Sequence, residues 1–531
     1  MIYYIKCNTA QLHLRTSADL LPQYCSLKNL KDIQYSCVFQ TLSWDKISRC
    51  CLLLNYAVLP NIISAPLWRS WEENKVTFSK RHTTDLLSGP LVSGIFLYTI
   101  PIIFTNVLQL LFNAADLVIV GQFCGSVSVA AVGATSNLTS LLVNFFVGLS
   151  VGTGVAVAHG IGGHQDEEVR RTVHTTIPLA LVSGIVLTVV GMTWSGRFLE
   201  MMDTPQSVLP LSTVYMRICF AGVTFTMLYN FCAAILRAAG DTKSPLIFLV
   251  LAGILNVIMN LVFVRIFRMN VAGVALATVL SQGVSAVLVV AALMRRTDAC
   301  KLVLREMRFY GAQIQKILRV GLPAGIQSTF FNISNVLIQA AVNSFGEVFV
   351  SASAASGNIE NFLYLIVNSF HQTAVNYIGQ NAGAGQYSRV KKIIWIVFAS
   401  VMAVSLAMAG ICYFFGRELL SIYIPNEPEV IAYGYERLVL VSLPHFLCAL
   451  MDVSTGMLRG LGSAVIPMVF CLLGACGFRI VWIRTIFQQH HTILCLLSSY
   501  PLSWALTALC QIIALVFVYR KHLRRMQQYS H

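Results

Sequence analysis

Three carboxylates lie inside the long apolar stretches of this sequence and are its first candidates for chemistry: Asp116, Glu360 and Asp452. Asp116 is the most isolated, because no other Asp, Glu, Lys or Arg occurs between Leu86 and Gln165. Placing a charge at the centre of a bilayer costs roughly 2.5 kcal/mol or more, so such residues are usually retained for function. The alternative is an acid near the end of a helix, where it reaches water.

Two later apolar stretches supply amide and hydroxyl oxygen atoms. Asn256 and Asn260 are four residues apart, which places both on one face of a helix, and Thr278 lies in the next stretch. A hard cation such as Na⁺ prefers these oxygens, whereas Asp116 could instead carry a proton, because burial disfavours its charged form. We predict an ion-coupling site here, with no metal beyond Na⁺. Ordinary interhelical hydrogen bonding is the alternative for the amides and the hydroxyl.

The composition indicates an integral membrane protein. The chain has 531 residues, of which 56% are hydrophobic and only 11% are charged, against roughly 25% charged residues in a soluble domain. Apolar stretches of about 20 residues, the length of a membrane-spanning helix, recur between residues 91 and 519. We predict twelve such helices.

The net charge of +15 does not indicate a nucleic-acid partner, because the basic residues are concentrated in alternate loops. The richest of these loops lies between residues 295 and 319. Loops rich in Lys and Arg favour the cytoplasmic side of a membrane. We therefore expect both termini in the cytoplasm and no bound nucleic acid.

An internal repeat divides the chain. "TIPIIF", with Pro101, returns as "GLPAGI", with Pro323, and "LRAAGDTKSP" returns as "LRGLGSAVIP", both 222 residues later. The predicted fold is all-α, with twelve transmembrane helices forming two parallel six-helix repeats around a central cleft. This plan suits a carrier that works by alternating access. Pro101 and Pro323 are the predicted helix kink and hinge positions.

The repeat also predicts domain limits. Residues 86–294 would form a first lobe and residues 320–519 a second, joined by a basic cytoplasmic linker over residues 295–319 and followed by a basic tail over 520–531. Residues 1–85 have no sustained helical or strand periodicity. We expect this extension to be disordered or dispensable, or to result from a wrongly assigned start.

Several further features receive a structural interpretation. The glycine-rich "GLSVGTG", residues 148–154, is interpreted as close helix packing instead of a phosphate loop. Arg237 and Arg459, at predicted helix ends, should snorkel or bond loop carbonyls. Arg479 lies well inside an apolar stretch, and we expect an acid partner for it.

The order of these motifs resembles the multidrug and toxic compound extrusion family, and more narrowly its bacterial branch. The resemblance covers about residues 86–520 and is carried by the proline-containing first helix with "DLVIVG", the two "LR" hinges, the paired asparagines and "GVALATVLSQ". It implies two six-helix lobes and export of organic cations and other toxic compounds, coupled to inward Na⁺ or H⁺ flow.

The resemblance also assigns residue roles. It implies that Asp116 is the ion-coupling acid, with Asn256 as an amide and Thr278 as the hydroxyl of the same cation site. The position of Asn260 is often an aspartate in this family, so the first lobe here holds one carboxylate where other members hold two. The coupling ion, Na⁺ or H⁺, therefore stays open.

These observations predict a secondary active multidrug antiporter of the bacterial inner membrane, working as a monomer in contact with lipid and without a cofactor. Its cleft would be apolar and aromatic, with Glu360 and Asp452 attracting hydrophobic, mostly cationic drugs. A lipid-linked oligosaccharide flippase is the nearest alternative and would need a more cationic cavity. A membrane-embedded enzyme is a remote one, because the sequence has no HExxH motif.

Overall fold

The structure, a computed structural model, describes residues 83–425 and 427–529 as an almost entirely helical chain. Our prediction for residues 1–85 falls almost wholly outside the described residues. Residues 295–310 form the connection between the halves, and α8 then begins at Gly311, inside the predicted linker. The other domain limits stay predictions.

The helices of the first half follow one another closely along the chain. They are α1 (Leu91–Cys124), α2 (Ser126–Gly162), α3 (Asp166–Met201), α4 (Leu209–Ala221), α5 (Val223–Ala238), α6 (Lys243–Leu261, continued by a π-helical segment Val262–Ile266) and α7 (Asn270–Met294).

The second half begins after a short 3-10 turn, Leu304–Glu306. Its helices are α8 (Gly311–Asn343), α9 (Glu347–Gly383), α10 (Tyr387–Tyr423), α11 (Pro428–Ser442), α12 (His445–Gly460), α13 (Val465–Phe470, followed by a π-helical segment Cys471–Gly477), α14 (Phe478–Arg484), α15 (Ile486–Gln489) and α16 (Ile493–Tyr529).

These elements account for the twelve predicted spans. Among the described residues, eight helices are long and apolar enough to cross a membrane, and the bent pairs α4–α5 and α11–α12 are also long and apolar enough when each pair is taken as one span. The remaining two, α8 and α9, contain 33 and 37 residues, about 50 Å or more at 1.5 Å per residue. They are less apolar because they carry many amide side chains.

The sharp changes of helix direction lie away from the predicted hinges. Pro101 and Pro323 are buried inside the uninterrupted helices α1 and α8. The bends of 45° and 46° lie instead beside Gly222 and Pro444, which are again 222 residues apart. Gly222 packs against the side chain of Val279, where a larger residue would not fit. The hinge role of the two predicted prolines stays a prediction.

The helices α2 and α8 cross in close contact between the halves. Gly148 faces Gly325, and Gly152 faces the backbone of Ile317 and Gly321, so a Cβ atom at either α2 glycine would collide with the opposite main chain. Small residues let membrane helices approach in this way. The interpretation of "GLSVGTG" as close helix packing is confirmed.

Further contacts join the halves at one end of the bundle, which we call the basic face: the end that carries the loops after α2, α5, α7, α9 and α12. There Gln380 donates a 2.6 Å hydrogen bond to the carbonyl of Ala238. His159 contacts the carbonyl of Gly460 at 2.6 Å. The other end is called the opposite face. The two halves are therefore held together at the basic face.

The connection between the halves is attached to α3. Arg170 donates two hydrogen bonds to Glu306, of 2.9 and 2.5 Å, and the Val303 amide donates to His174 at 3.0 Å. The hydrogen bond from Arg170 stabilises the charged carboxylate and so lowers the pKa of Glu306 below its usual value. This connection is consequently fixed against the basic face.

The glycine crossing gives a stability prediction. Gly152→Ala should lower the unfolding temperature in detergent, because overpacking against a backbone costs about 1–3 kcal/mol. Gly133→Ala, on the same helix, is the matched control, since nothing lies within 4 Å of its Cβ position. Thermal unfolding followed by size-exclusion chromatography measures both. Equal unfolding temperatures for the two variants would contradict the role of the crossing.

The attachment of the connection gives a pH prediction. The folded-state pKa of Glu306 is lower than its unfolded value, so its contribution is present above the unfolded pKa and is lost as pH falls through the folded one. Glu306→Gln should therefore raise hydrogen–deuterium exchange of residues 300–310 near neutral pH, whereas the exposed Glu347→Gln should not. The effect should be modest, because the pair is exposed to solvent. Unchanged exchange in Glu306→Gln would contradict it.

Candidate functional site

The four residues of the predicted ion-coupling site lie together in the first half. Asp116 is buried, with 5% of its surface exposed. Its Oδ1 accepts a 2.5 Å hydrogen bond from Asn260 Nδ2, and its Oδ2 accepts one of 2.9 Å from Thr278 Oγ1. Asn256 completes the group, with its Nδ2 3.3 Å from Thr278 Oγ1 and its Oδ1 3.2 Å from Asn260 Nδ2. The ion-coupling role of this cluster stays a prediction.

Three helices position this cluster. Asp116 lies on α1, Asn256 and Asn260 lie one turn apart on α6, and Thr278 lies on α7; α6 packs against both of the others. The α6–α1 packing is close because Gly253 lies against the ring of Phe112. The i, i+4 spacing of the asparagines therefore places both amides in the cluster around the same acid.

The cluster is suited to a small cation or a proton. Asp116 receives its hydrogen bonds from uncharged side chains, so its carboxylate charge is not neutralised by them. Asn260 is fully buried, and its Oδ1 atom has no hydrogen-bond partner within the described structure. Rotation of this amide would interchange the positions of its Oδ1 and Nδ2 atoms. The amide oxygen would then face a bound cation together with the carboxylate oxygens of Asp116.

A separate cavity of about 900 Å³ lies between the two halves. The residues of the ion-coupling cluster do not line it. Helix α1 connects the two places, since Asn106 and Gln109 line the cavity and Asp116 follows Gln109 by two turns. An event at Asp116 could therefore reach the cavity through the movement of one helix.

The cavity opens toward the opposite face. Its inner end lies at residues such as Asn376 and Arg459, which are buried. Its outer lining includes Ser140, Asn335 and Gln339, which are exposed, and Gln339 is one turn from the end of α8. The contacts at the basic face close the other end.

The lining is polar and apolar in similar parts, and so it is more polar than the apolar, aromatic cleft expected from the sequence. Thirteen amide side chains line the cavity: Asn106, Gln109, Asn144, Asn230, Gln327, Asn332, Asn335, Gln339, Asn358, Asn361, Asn368, Gln372 and Asn376. Many of them lie on α8 and α9, where helical periodicity alternates them with apolar residues that face outward. The averaged hydropathy used to identify spans hides this one-sided arrangement.

Four arginines also line the cavity, namely Arg237, Arg437, Arg459 and Arg479. The acids in the lining are Glu360 and Asp452, so with neutral histidines the named lining residues have a formal charge of +2. The predicted snorkelling of Arg237 and Arg459 is not observed, because both side chains line the cavity between the halves. Arg437 was not among the predicted site residues, although an arginine inside an apolar stretch is itself a signal.

Glu360 forms an ion pair with Arg437. The two guanidinium nitrogens of Arg437 lie 3.2 and 3.3 Å from the two carboxylate oxygens, a bidentate arrangement. The side chain of Glu360 is 15% exposed and that of Arg437 is 7% exposed, so the pair is largely removed from water. Glu360 therefore lines the cavity as half of an ion pair and not as a free acid.

Asp452 belongs to a chain of polar contacts. Its Oδ1 atom is 3.3 Å from His371 Nδ1, and His371 Nε2 is 3.3 Å from Arg459 Nη1. Arg459 also donates a 2.8 Å hydrogen bond to Gln327 on α8. The negative charge of Asp452 thus lies close to a positive one.

Arg479 has no acid among its identified contacts, and the expectation of an acid partner is wrong in the described structure. Its Nε atom donates a 2.9 Å hydrogen bond to Ser503. Its guanidinium carbon lies 4.6 Å from the ring centre of Tyr500, with Phe331 and Trp504 at 5.7 and 5.8 Å. Cation–π contact takes the place of a carboxylate.

The Glu360–Arg437 pair gives a prediction. Glu360→Gln should destabilise the protein by about 2 kcal/mol. This loss is smaller than the roughly 3–5 kcal/mol of a fully buried ion pair, because the Glu360–Arg437 pair lines the cavity and is partly exposed. The double variant Glu360→Gln/Arg437→Gln should recover part of the loss. Thermal unfolding of the two single variants and the double variant measures the coupling. Additive losses would contradict it, and Glu418→Gln, on the same half, serves as the surface control.

Comparison with known proteins agrees with the repeat. A sequence profile of the MatE family matches residues 101–262 and again 323–485, more than half of the chain. The two matches begin at Pro101 and Pro323, the prolines that the internal repeat pairs.

Individual relatives have low sequence identity to this chain, but the similarity extends over most of their length. The chain is similar to the probable multidrug resistance protein YpnP of Bacillus subtilis (strain 168), with 27% identity over 73% of this chain and 87% of that protein. It is also similar to the probable multidrug resistance protein YoeA of the same strain, with 24% identity over 80% and 93%.

A solved structure shares the fold at low identity. It is a MOP superfamily transporter from Pyrococcus furiosus, for which reverse polarity of the binding pocket suggests a different function. The TM-score is 0.78 at 20% identity, over 83% of this chain and 98% of that one.

The two profile matches and the shared fold confirm the predicted architecture of two six-helix repeats. They also confirm a multi-pass membrane transporter and exclude the enzyme alternative, because members of this family transport small molecules. On these grounds the chain belongs to the MatE family.

Proposed function

We propose that this chain is a secondary active multidrug efflux antiporter, driven by inward flow of Na⁺ or H⁺ through the cluster around Asp116. The cluster itself carries the proposal: an isolated buried carboxylate surrounded by neutral amide and hydroxyl groups. The relatives named as multidrug resistance proteins support export as the direction of transport.

Coupling would work through α1. A bound cation or proton would replace the hydrogen bonds that Asn260 and Thr278 donate to Asp116 and would alter the packing of α1 against α6 and α7. Because Asn106 and Gln109 on the same helix line the cavity, this change would alter the cavity too. An ion shifts the balance between two facing states only if it binds one state better.

The basic face would lie in the cytoplasm of a bacterial inner-membrane protein, since positively charged loops favour that side. Both ends of the membrane domain, at the start of α1 and the end of α16, would then be cytoplasmic. The cavity, which opens at the opposite face, would be open to the outside in the described conformation. We propose a monomer in direct contact with lipid and no cofactor beyond the coupling ion.

The charge of the cavity bears on the choice between functions. The hydrophobic cations predicted from the sequence would meet four arginines and two acids that already have positively charged neighbours. A cationic cavity is the property expected of a lipid-linked oligosaccharide flippase. The flippase is therefore the second candidate, whereas the family match and the relatives favour efflux.

The first test uses Asp116→Asn in proteoliposomes, with Na⁺ and pH gradients imposed separately. The isosteric amide keeps the shape but cannot carry the charge or exchange the proton, so gradient-driven transport should fall at least about tenfold. Both a cationic dye, ethidium, and an anionic dye, fluorescein, are measured as cargo. The gradient that drives the wild-type protein identifies the ion.

Asp203→Asn is the matched control, because Asp203 is exposed in the turn after α3. Its transport should equal that of the wild-type protein. If Asp116→Asn transports as well as Asp203→Asn at equal incorporation, Asp116 is a structural acid and the proposed coupling is wrong.

A further inference from the structure

We propose that an arginine cluster in the second half, defined as Arg459 and Arg479 with their neighbours Gln327 and His371, binds the oxyanion group of an anionic cargo. The cavity would then select small polar organic anions over hydrophobic cations. This inference names the cargo class of the transporter proposed above and rests on that function. It is carried by the geometry of the cavity, independently of the ion-coupling cluster.

Arg479 supplies the first binding group. It is only 1% exposed and lines the cavity, yet its Nη1 and Nη2 atoms have no hydrogen-bond partner among the described residues. Its ring contacts with Tyr500 and Trp504 leave these in-plane N–H groups without an acceptor. A buried guanidinium with free N–H groups is costly, and a carboxylate or phosphate would satisfy two of them in a bidentate pair.

Arg459 supplies the second binding group. It is 6% exposed, its Nη2 atom donates to Gln327, and its Nε atom has no partner in the described part of the chain. His371 lies 3.3 Å from its Nη1 atom. Part of the guanidinium is therefore held in place while one donor stays free.

The two arginines lie close enough to act on one molecule. Arg459 bonds Gln327, and Arg479 lies 5.7 Å from the ring centre of Phe331, which is one turn further along α8. One turn of a helix rises about 5.4 Å. Both guanidinium groups therefore contact adjacent turns of the same helix on the cavity side.

The acids of the cavity leave the charge of Arg479 uncompensated. Glu360 is paired with Arg437, and Asp452 with the His371–Arg459 chain. Arg479 has no carboxylate among its identified contacts. The field at the inner end of the cavity is thus positive, which attracts anions and repels cations.

The repeat shows that the two halves have different charges at related positions. At the offset of 222 residues, Asp116 corresponds to Ile338 and Thr278 to Tyr500. The first half thus places a carboxylate where the second half has an apolar residue. Tyr500 instead supports the guanidinium of Arg479. The second half therefore offers a fixed positive group, whereas the first half offers a cation site.

The other lining residues indicate the chemistry of the rest of the cargo molecule. Thirteen amides provide donors and acceptors in every direction, and Tyr364, Tyr500 and Trp504 provide aromatic surface. Such a lining favours a molecule with several hydrogen-bonding groups and a ring over a purely hydrophobic one. The shared recognition element is a carboxylate or a phosphate.

The test measures equilibrium binding to the purified full-length protein in lipid nanodiscs, without an ion gradient. Fluorescein and rhodamine 6G are the probes, because they share a xanthene ring but carry opposite charges. Fluorescence anisotropy should show tighter binding of fluorescein. Arg479→Gln should weaken fluorescein binding by about tenfold, the loss expected for one charge-assisted contact, and should not weaken rhodamine 6G binding.

Arg417→Gln is the matched control, since Arg417 is exposed and lies over Tyr435 outside the cavity. Arg459→Gln is a second variant in the cluster, and size-exclusion chromatography checks that each variant folds. The comparison of the two dyes on the wild-type protein needs no variant, so the proposal can fail even if both cluster variants unfold.

Competition experiments separate the sources of the oxyanion. Displacement of fluorescein by adenosine 5′-monophosphate but not by adenosine would identify a free phosphate compound. Displacement only by farnesyl pyrophosphate would identify a lipid-borne one and favour the flippase candidate. Displacement only by benzoate would identify a carboxylate. Each of these results supports an anionic cargo.

Tighter binding of rhodamine 6G, or equal fluorescein binding by Arg479→Gln and Arg417→Gln, would overturn the inference. The proposed function would still stand in that case if gradient-driven efflux depends on Asp116. Conversely, fluorescein binding that depends on Arg479, without any gradient-driven transport, would support the cargo class and contradict the antiport.

Discussion

Every polar group inside a membrane helix needs a partner, and this one constraint shapes both halves of the protein. The first half satisfies a single acid, Asp116, with neutral donors from Asn260 and Thr278, which leaves its negative charge available to an ion. The second half holds its guanidinium groups with an acid, a histidine and aromatic rings, and two nitrogens of Arg479 have no hydrogen-bond partner among the described residues. The two repeats thus provide an anionic site in the first half and a cationic site in the second half.

The anionic site of the first half and the cationic site of the second half are linked through the contacts between the two halves. Gly152 and Gly321 bring α2 and α8 into backbone contact, and the basic face adds hydrogen bonds such as that of Gln380. Packed interfaces of this kind change between discrete arrangements and do not deform continuously. Helix α1 reaches both the ion-coupling cluster and the cavity, so it is the element best placed to transmit a change at Asp116.

The charge of the cavity could not be read from the membrane spans one at a time. Among the described residues, Glu360 and Asp452 are the acids that line it, and from the sequence they indicate a cation-binding cleft. In the folded chain Arg437 and Arg459 pair with or approach these acids, and Arg479 adds a further positive group. Contacts between residues far apart in the sequence, such as Glu360 and Arg437 at 77 positions, therefore contribute to the charge that the cavity presents.

The sequence by itself determined the twelve-helix plan, because hydropathy, loop charge and the 222-residue repeat are properties of local segments and their order. It also determined that Asn256 and Asn260 share a face, since i, i+4 spacing fixes direction on a helix. Only the tertiary structure decided that Asn260 meets Asp116, that sharp bends lie beside Gly222 and Pro444, and that amides and arginines line the cavity. Those outcomes depend on which helix faces pack together, and packing joins residues that no local pattern relates.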